Sequence, residues 1–456
     1  MKRFYIFYHF FAALIFLIAA GSASKAGLIR DTELERGLEE LAWPLAKEAG
    51  LTSLYIRIVP NDSYNAFVVG GNTVYVHTGL LTKARSASEI LGVFAHEIGH
   101  LAAGHAPRRS EAVKDANLTT TLATLAAAAV AASGASGEAA FGVALGGMDR
   151  ANRNYLALSR HDEAVADEWA LRLLESQDIS ASGLSDFMRR IAGERALPET
   201  RQSDYYLTHP GAGARLLVFE DHIREHGHDS PGITQTDDAL ITRLIGKIRA
   251  FTEQPAQTIG DIRRAAAAKD KKAIPQKWPN FDEDDNLYRA AIAHYRRGAL
   301  NKAEEIMTDL RNHHPNDAYY AEFAGDIFLS NGKIDDAIKA YENALALGPA
   351  PLIEFGLGRA YLAKADRGES LYYQQAANAF ERAVKTEAKW PELYRQLAIS
   401  LGRNGQLAKA DLALANEALL LGDKERAKQM AKRAIGHETI SKQTRNYAND
   451  ILFSLQ

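Results

Sequence analysis

Gly298 is followed five residues later by Ala303 and twelve after that by Pro315, and Gly332, Ala337 and Pro349 repeat the set 34 residues on. That period belongs to the tetratricopeptide repeat, a helix pair that cannot bury its apolar face alone and must stack on copies of itself. Ala337, Tyr341 and Ala344 stand at i, i+4 and i+7, so small and aromatic groups share one helix face. Ala376, Phe380 and Ala383 renew the pattern 39 residues after Ala337, which puts about five extra residues near 365–373. Ala410 with Gly405 restores the 34-residue step, and Gly422 with Ala427 adds a half-period of 17, one further helix. The phase commits 285–456 to an α-solenoid of about four helix pairs, whose concave face ordinarily binds another protein. The sequence does not say which protein.

The remaining length must hold something else, since 456 residues correspond to about three domains. A 46% hydrophobic and 24% charged composition is that of packed globular protein. With 54 Lys and Arg against 57 Asp and Glu, the net charge of -3 supplies no basic field for nucleic acid, and no nucleic-acid partner is expected. The chain has no cysteine, which excludes disulfides, Cys-ligated zinc fingers and Cys nucleophiles, so a metal must be held by His and carboxylate. At the N-terminus, Lys2 and Arg3 precede an apolar run from Phe4 to Ala20 and small residues at Gly21, Ser22, Ala23, Ser24 and Ala26. This is the order of a secretory signal over 1–26, cleaved after Ala23 or Ala26, with an uncleaved anchor as the alternative. Export of a cysteine-free chain suits a bacterial periplasm.

Ser86-Ala87-Ser88-Glu89 has the form of a capping box, and Ile90, Leu91, Val93 and Phe94 follow, so a helix is expected from Ala87. His96 and His100 lie one turn apart on it, which lets two imidazoles reach one zinc ion while Glu97, one residue round, addresses the attacking water. A third protein ligand is expected downstream. Glu163 and Asp167 stand at i and i+4 on a helix expected from Tyr155 to Leu174, with Glu163 to bind the metal and Asp167 to accept the outer N–H of a ligand imidazole. Asp162, Glu168 and His161 on the same helix remain competitors by spacing alone.

His96-Glu97-Ile98-Gly99-His100, then Ser159-Arg160, Glu163-Ala164-Val165-Ala166-Asp167, and Thr208-His209-Pro210 with Arg215 together resemble the motif series of the zinc metallopeptidases that include the CAAX prenyl protease and HtpX. The resemblance implies a mainly α fold with a small β-hairpin sheet: a gluzincin-type metallopeptidase domain over 27–255, a connector at 256–284 and the repeats at 285–456. It implies one Zn2+ per chain held by His96, His100 and Glu163, Glu97 as catalytic base, and His209 close to the metal, either stabilising the tetrahedral intermediate or filling the open position at rest. Asn65-Ala66-Phe67 begins a hairpin that turns at Gly70-Gly71-Asn72 and returns through Val74, Tyr75 and Val76. The resemblance makes it the edge on which extended substrate pairs, with Arg215 also on the substrate side.

Residues 117–148 carry Glu138 as their only charge and are rich in Ala, Thr and Gly. A helical hairpin lidding the cleft is the expectation, with peripheral membrane contact as the alternative. His222, His226 and His228 read as a solvated surface cluster able to take metal only incidentally, and His105 and the pair Tyr205 and Tyr206 have no assigned role. The expected function is a periplasmic zinc-dependent endopeptidase in quality control of envelope proteins. Unfolded or stalled envelope proteins are its substrates, and outer-membrane β-barrel proteins and their assembly machinery are the partners the resemblance suggests. A repeat-based chaperone or scaffold with a normally shut metal site is the alternative.

Overall fold

The computed structural model describes residues 28–68, 71–105, 160–198, 202–226, 233–267 and 279–455. The expected signal at 1–26, the Ala-rich segment at 117–148 and His228 lie outside them.

Helix α1 (Thr32–Glu48) starts where Asp31 accepts the Leu34 N–H, with Glu33 and Glu35 in its first turn, where the helix dipole favours negative charge. Three strands follow: β1 (Tyr55–Val59), β2 (Ala66–Val68) and β3 (Thr73–His77). β2 and β3 form the expected antiparallel hairpin, Ala66 opposite Val76. The sheet has one strand more than a hairpin, because β1 lies parallel to β3 on its other side, Tyr55 opposite Thr73. β2 is therefore an edge strand, as substrate pairing on it requires.

After the short α2 (Thr78–Lys83) comes α3 (Ala87–Ala102), opened by Ser86, whose hydroxyl accepts the Glu89 N–H. The expected capping box is only half formed. Glu89 accepts the Arg85 N–H at 2.8 Å and a guanidinium hydrogen bond from Arg190 at 2.6 Å, and this cross-helix charge pair draws its carboxylate away from the Ser86 N–H. Helix α4 (160–176), α5 (Ser182–Gly193), α6 (Asp204–Thr208), α7 (Ala212–His226), α8 (Gln235–Thr252) and α9 (Pro255–Ala267) complete this half. One core of Leu34, Ile56, Val76, Phe94, Leu173, Leu184 and Phe187 joins α1, the sheet, α3, α4 and α5.

The solenoid runs through α10 (Glu283–Arg296), α11 (Leu300–His313), α12 (Ala318–Ser330), α13 (Ile334–Leu347), α14 (Pro351–Asp366), α15 (Tyr372–Val384), α16 (Pro391–Arg403), α17 (Leu407–Leu420), α18 (Lys424–Ile435) and α19 (Lys442–Ser454). Gly298, Gly332, Gly405 and Gly422 adopt φ from 74° to 77°, the left-handed cap that stops one helix and turns the chain into its partner. At Gly332 the full motif is present, its N–H on the Leu329 carbonyl and the Lys333 N–H on that of Phe328. The extra residues expected near 365–373 lengthen α14 and its turn. The stack has five helix pairs rather than about four. The half-period helix α18 gains a partner in α19, which hides only Thr444, Ala448 and Ile451 and carries no Gly–Ala phase to announce it.

The two halves meet around α1 and β1. Thr32 donates to Glu322 at 2.6 Å, Tyr288 donates to Glu33 at 2.8 Å, and Arg57 and Arg30 both pair with Glu387. Among the described residues no helix is long and apolar enough to cross a membrane.

Candidate metal centre

Helices α3 and α4 cross where a Cβ on Gly99 would stand 2.7 Å from the Ala166 carbonyl oxygen and 2.9 Å from the Trp169 Cβ. The bare glycine inside the His-Glu-x-x-His segment thus lets α4 approach α3 closely enough for Glu163 to reach both histidines. His96 Nε2 and His100 Nε2 are 3.1 Å apart; the Glu163 carboxylate puts Oε2 3.2 Å from the first and Oε1 3.3 Å from the second. Ser203 caps α6 by accepting the Tyr206 N–H, and His209 follows at the C-terminal end of that helix. Its Nδ1 lies 3.4 Å from His96 Nε2 and 2.9 Å from Glu163 Oε2. All four side chains are buried, with one ligand atom from each inside a 4.8 Å cluster.

Hydrogen bonding fixes which nitrogens face inward. His96 Nδ1 lies 2.9 Å from Asp167 Oδ1, and a carboxylate can only accept, so Nδ1 carries the proton and Nε2 is a lone pair. His209 Nε2 is 3.3 Å from the Ala66 carbonyl oxygen, which leaves its Nδ1 bare. His100 Nδ1 is 2.8 Å from His105 Nδ1, whose Nε2 faces Asp162 Oδ1 at 3.6 Å, so His100 turns its Nε2 to the cluster. Three imidazole nitrogens and a carboxylate converge in one buried space, the donor set that a divalent cation takes. A tetrahedral zinc with ligands at about 2.0–2.1 Å separates its donors by about 3.3 Å, the spacing found here. The residues present fit zinc.

Arg215, from α7, supplies the balancing charge. Its guanidinium grips Asp167 through Nε and Nη2, both at 2.7 Å, and reaches Glu163 through Nη1 at 2.8 Å. Burial opposes the charge on all three groups, but their mutual attraction prevails. Arg215 stays protonated, Asp167 is held below the ordinary carboxylate range, and Glu163 is held well below it. This corrects the expectation that Arg215 handles substrate, since its donors are turned inward onto the ligand helix and its side chain is almost wholly buried.

Of the competitors for the third position, Glu168 points to solvent beside Arg172, His161 is exposed, and Asp162 is turned to His105. Glu97 is fully buried, its Oε1 3.6 Å from His209 Nε2. Asn65 gives its carbonyl to the His77 N–H, so the next residue, Ala66, directs its own carbonyl to the outer edge of β2, where His209 takes it. Phe67 stacks on Tyr75, centroids 5.3 Å apart. Tyr205 is packing, buried with its ring 4.2 Å from that of His209, and Tyr206 is half-buried. His105 was the residue spacing could not place: α3 ends at Ala102, and only the turn at Gly104, φ 67°, brings His105 back onto His100.

A buried His-Glu-x-x-His helix joined by a carboxylate from a second helix defines a metalloprotease, and the chain is one. Residues 29–222 match the sequence model of Peptidase family M48. The beta-barrel assembly-enhancing protease of Escherichia coli O157:H7 is 24% identical over 397 residues, 84% of this chain and 75% of its own. Metalloprotease LoiP of Escherichia coli is 25% identical over 43% of this chain and 73% of its own. Protease HtpX of Chromohalobacter salexigens reaches 42% identity over 91 residues, 19% of this chain and 30% of its own.

Proposed function

We propose that the chain is a zinc-dependent endopeptidase of the periplasm, acting in quality control or assembly of outer-membrane β-barrel proteins. In this reading 27–255 forms the peptidase unit, 256–284 the connector and 285–456 a repeat unit that recruits substrate or the assembly machinery. The observation that carries it is the four-donor cluster of His96, His100, Glu163 and His209 with Glu97 beside it. His96, His100 and Glu163 hold the metal. Zinc bound there supplies Lewis acidity to polarise the scissile carbonyl and acidify the attacking water. Glu97 takes the proton of that water and passes it to the leaving amine. Asp167 and His105 hold the imidazoles in the orientations that ligation needs, and Arg215 neutralises the carboxylate pair. The outer edge of β2 pairs with extended substrate through backbone groups, which makes the enzyme indifferent to most side chains. The beta-barrel assembly-enhancing relatives support unfolded β-barrel precursors as the first substrates to test.

His209 makes the described geometry a shut form. Its Nδ1 completes the donor set and its Nε2 holds the Ala66 carbonyl, so one ring blocks both the fourth ligand position and the substrate edge. When the ring leaves, both open together and His209 becomes available to the developing oxyanion. This favours a repeat-based scaffold or chaperone whose peptidase is switched on only by displacement of His209, the second reading.

Incubation with an unfolded β-barrel precursor, with and without a zinc chelator, separates the two activities. Chelator-sensitive fragments mark the peptidase, and chelator-insensitive suppression of aggregation marks the scaffold. Glu97→Gln is expected to keep zinc and fold while losing cleavage by at least about 100-fold, and substantial cleavage by that variant removes the assigned base. His209→Ala is expected to keep zinc on three ligands and cleave faster than the wild type, release of the latch outweighing the lost oxyanion contact; slower cleavage would make the oxyanion contact the larger of the two.

A further inference from the structure

The last turns of α4 and α7 bring together three groups with no part in the catalytic cluster. His222 and His226 lie one turn apart on α7 with rings stacked, centroids 4.3 Å apart. Both direct Nε2 at Glu175 Oε1 on α4, from 3.3 Å and 3.7 Å. His226 Nδ1 is 3.0 Å from the His222 carbonyl oxygen. A carbonyl can only accept, so Nδ1 carries a proton, and Nε2 is left facing a carboxylate oxygen, which can only accept as well. Lone pair against lone pair is unfavourable unless a cation lies between them, and that cation is either a second proton on the ring or a metal.

We propose that Glu175, His222 and His226 form a second metal site, for a late first-row divalent cation such as zinc or nickel, separate from the catalytic cluster. One ligand atom from each residue falls within a 4.8 Å cluster. Two imidazoles and a carboxylate suit a borderline cation and not calcium or magnesium, which take oxygen. The side chains of Glu175 and His226 are 45% and 55% exposed, so an ion can enter from solvent, and water can complete its coordination. The site has a structural consequence. Glu163 and Asp167 stand further back on α4, and Arg215, which grips both, stands further back on α7. A metal joining the ends of these two helices braces the pair that carries the charge balance of the catalytic centre.

The test is calorimetric titration of zinc chloride into the chelator-stripped full-length protein. Wild type is expected to show two binding events. His222→Gln with His226→Gln is expected to show one, as is Glu175→Gln, while His96→Ala with His100→Ala loses the other; circular dichroism matching that of wild type checks the fold of each. A wild type with one event that survives His222→Gln with His226→Gln overturns the proposal, leaves the catalytic reading intact and makes the surface cluster a His–Glu ion pair only. Two events retained in that double variant overturn it as well.

Discussion

Arg215 is the residue on which the centre turns, because two carboxylates, Glu163 and Asp167, buried side by side need a cation that is always charged. A guanidinium meets both carboxylates at once, with two donors on Asp167 and one on Glu163, where an ammonium has no planar fork to offer. Arg215→Lys is therefore expected to lower zinc affinity by about 10–100-fold without removing a ligand. Chelator competition measures it, and affinity unchanged within about twofold would show that the guanidinium only fills space. The convergence of His96 and His100 was readable, since residues at i and i+4 share one face of a helix. The role of Arg215 was not, because the pairs that define it span 48 and 52 residues and exist only after α7 has packed on α4. His105 escaped for a local reason, a left-handed turn at Gly104 that helical spacing does not anticipate.

Elements were legible where one helix announces its own ends and obscure where two must meet. The start of α3 at Ala87 follows from Ser86, whereas the half-formed capping box reflects Arg190, which arrives from α5. The hairpin β2–β3 could be read from its turn; β1, a parallel partner whose register is set across the sheet, could not. The helix pairs followed the glycine and alanine phase until α19, which lacks it. The crossing of α3 and α4 at Gly99 carries the sharpest consequence at this scale. A methyl there meets backbone, the Ala166 carbonyl, and backbone does not rotate out of the way. Gly99→Ala is expected to cost about 1–3 kcal/mol of stability, typical of overpacking, and to move Glu163 away from the histidines. Thermal melts and zinc content measure the two effects, and a variant that keeps both would place the helix approach elsewhere.

At the scale of the whole molecule, the peptidase half and the solenoid meet around Glu33, which takes two cations from α8 in its own half and the Tyr288 hydroxyl from α10. Glu33 on α1 is buried and receives Lys247 at 2.9 Å, Tyr288 at 2.8 Å and Arg243. Burial pushes its carboxyl upward, but Lys247 and Arg243 pull harder, and it is held below its ordinary value near 4.5. Lys247, despite the same burial, is held protonated well above the usual lysine range by Asp31 and Glu33. The unfolded chain therefore binds a proton before folded Glu33 does as pH falls, so the contribution of Glu33 is complete above about pH 4.5 and declines below it. Lys247 loses its contribution at the other extreme, as pH rises from about 10.4 through its raised folded value. Glu33→Gln leaves Lys247 on Asp31 and Arg243 on Asp317 but weakens the charge-assisted bonds to both, and is expected to cost about 1–3 kcal/mol at neutral pH. It is also expected to flatten the fall in melting temperature below about pH 4.5 that wild type shows. Melting curves recorded from pH 3 to 8 on both proteins decide the matter: parallel profiles would mean that Glu33 takes no part in the acid response.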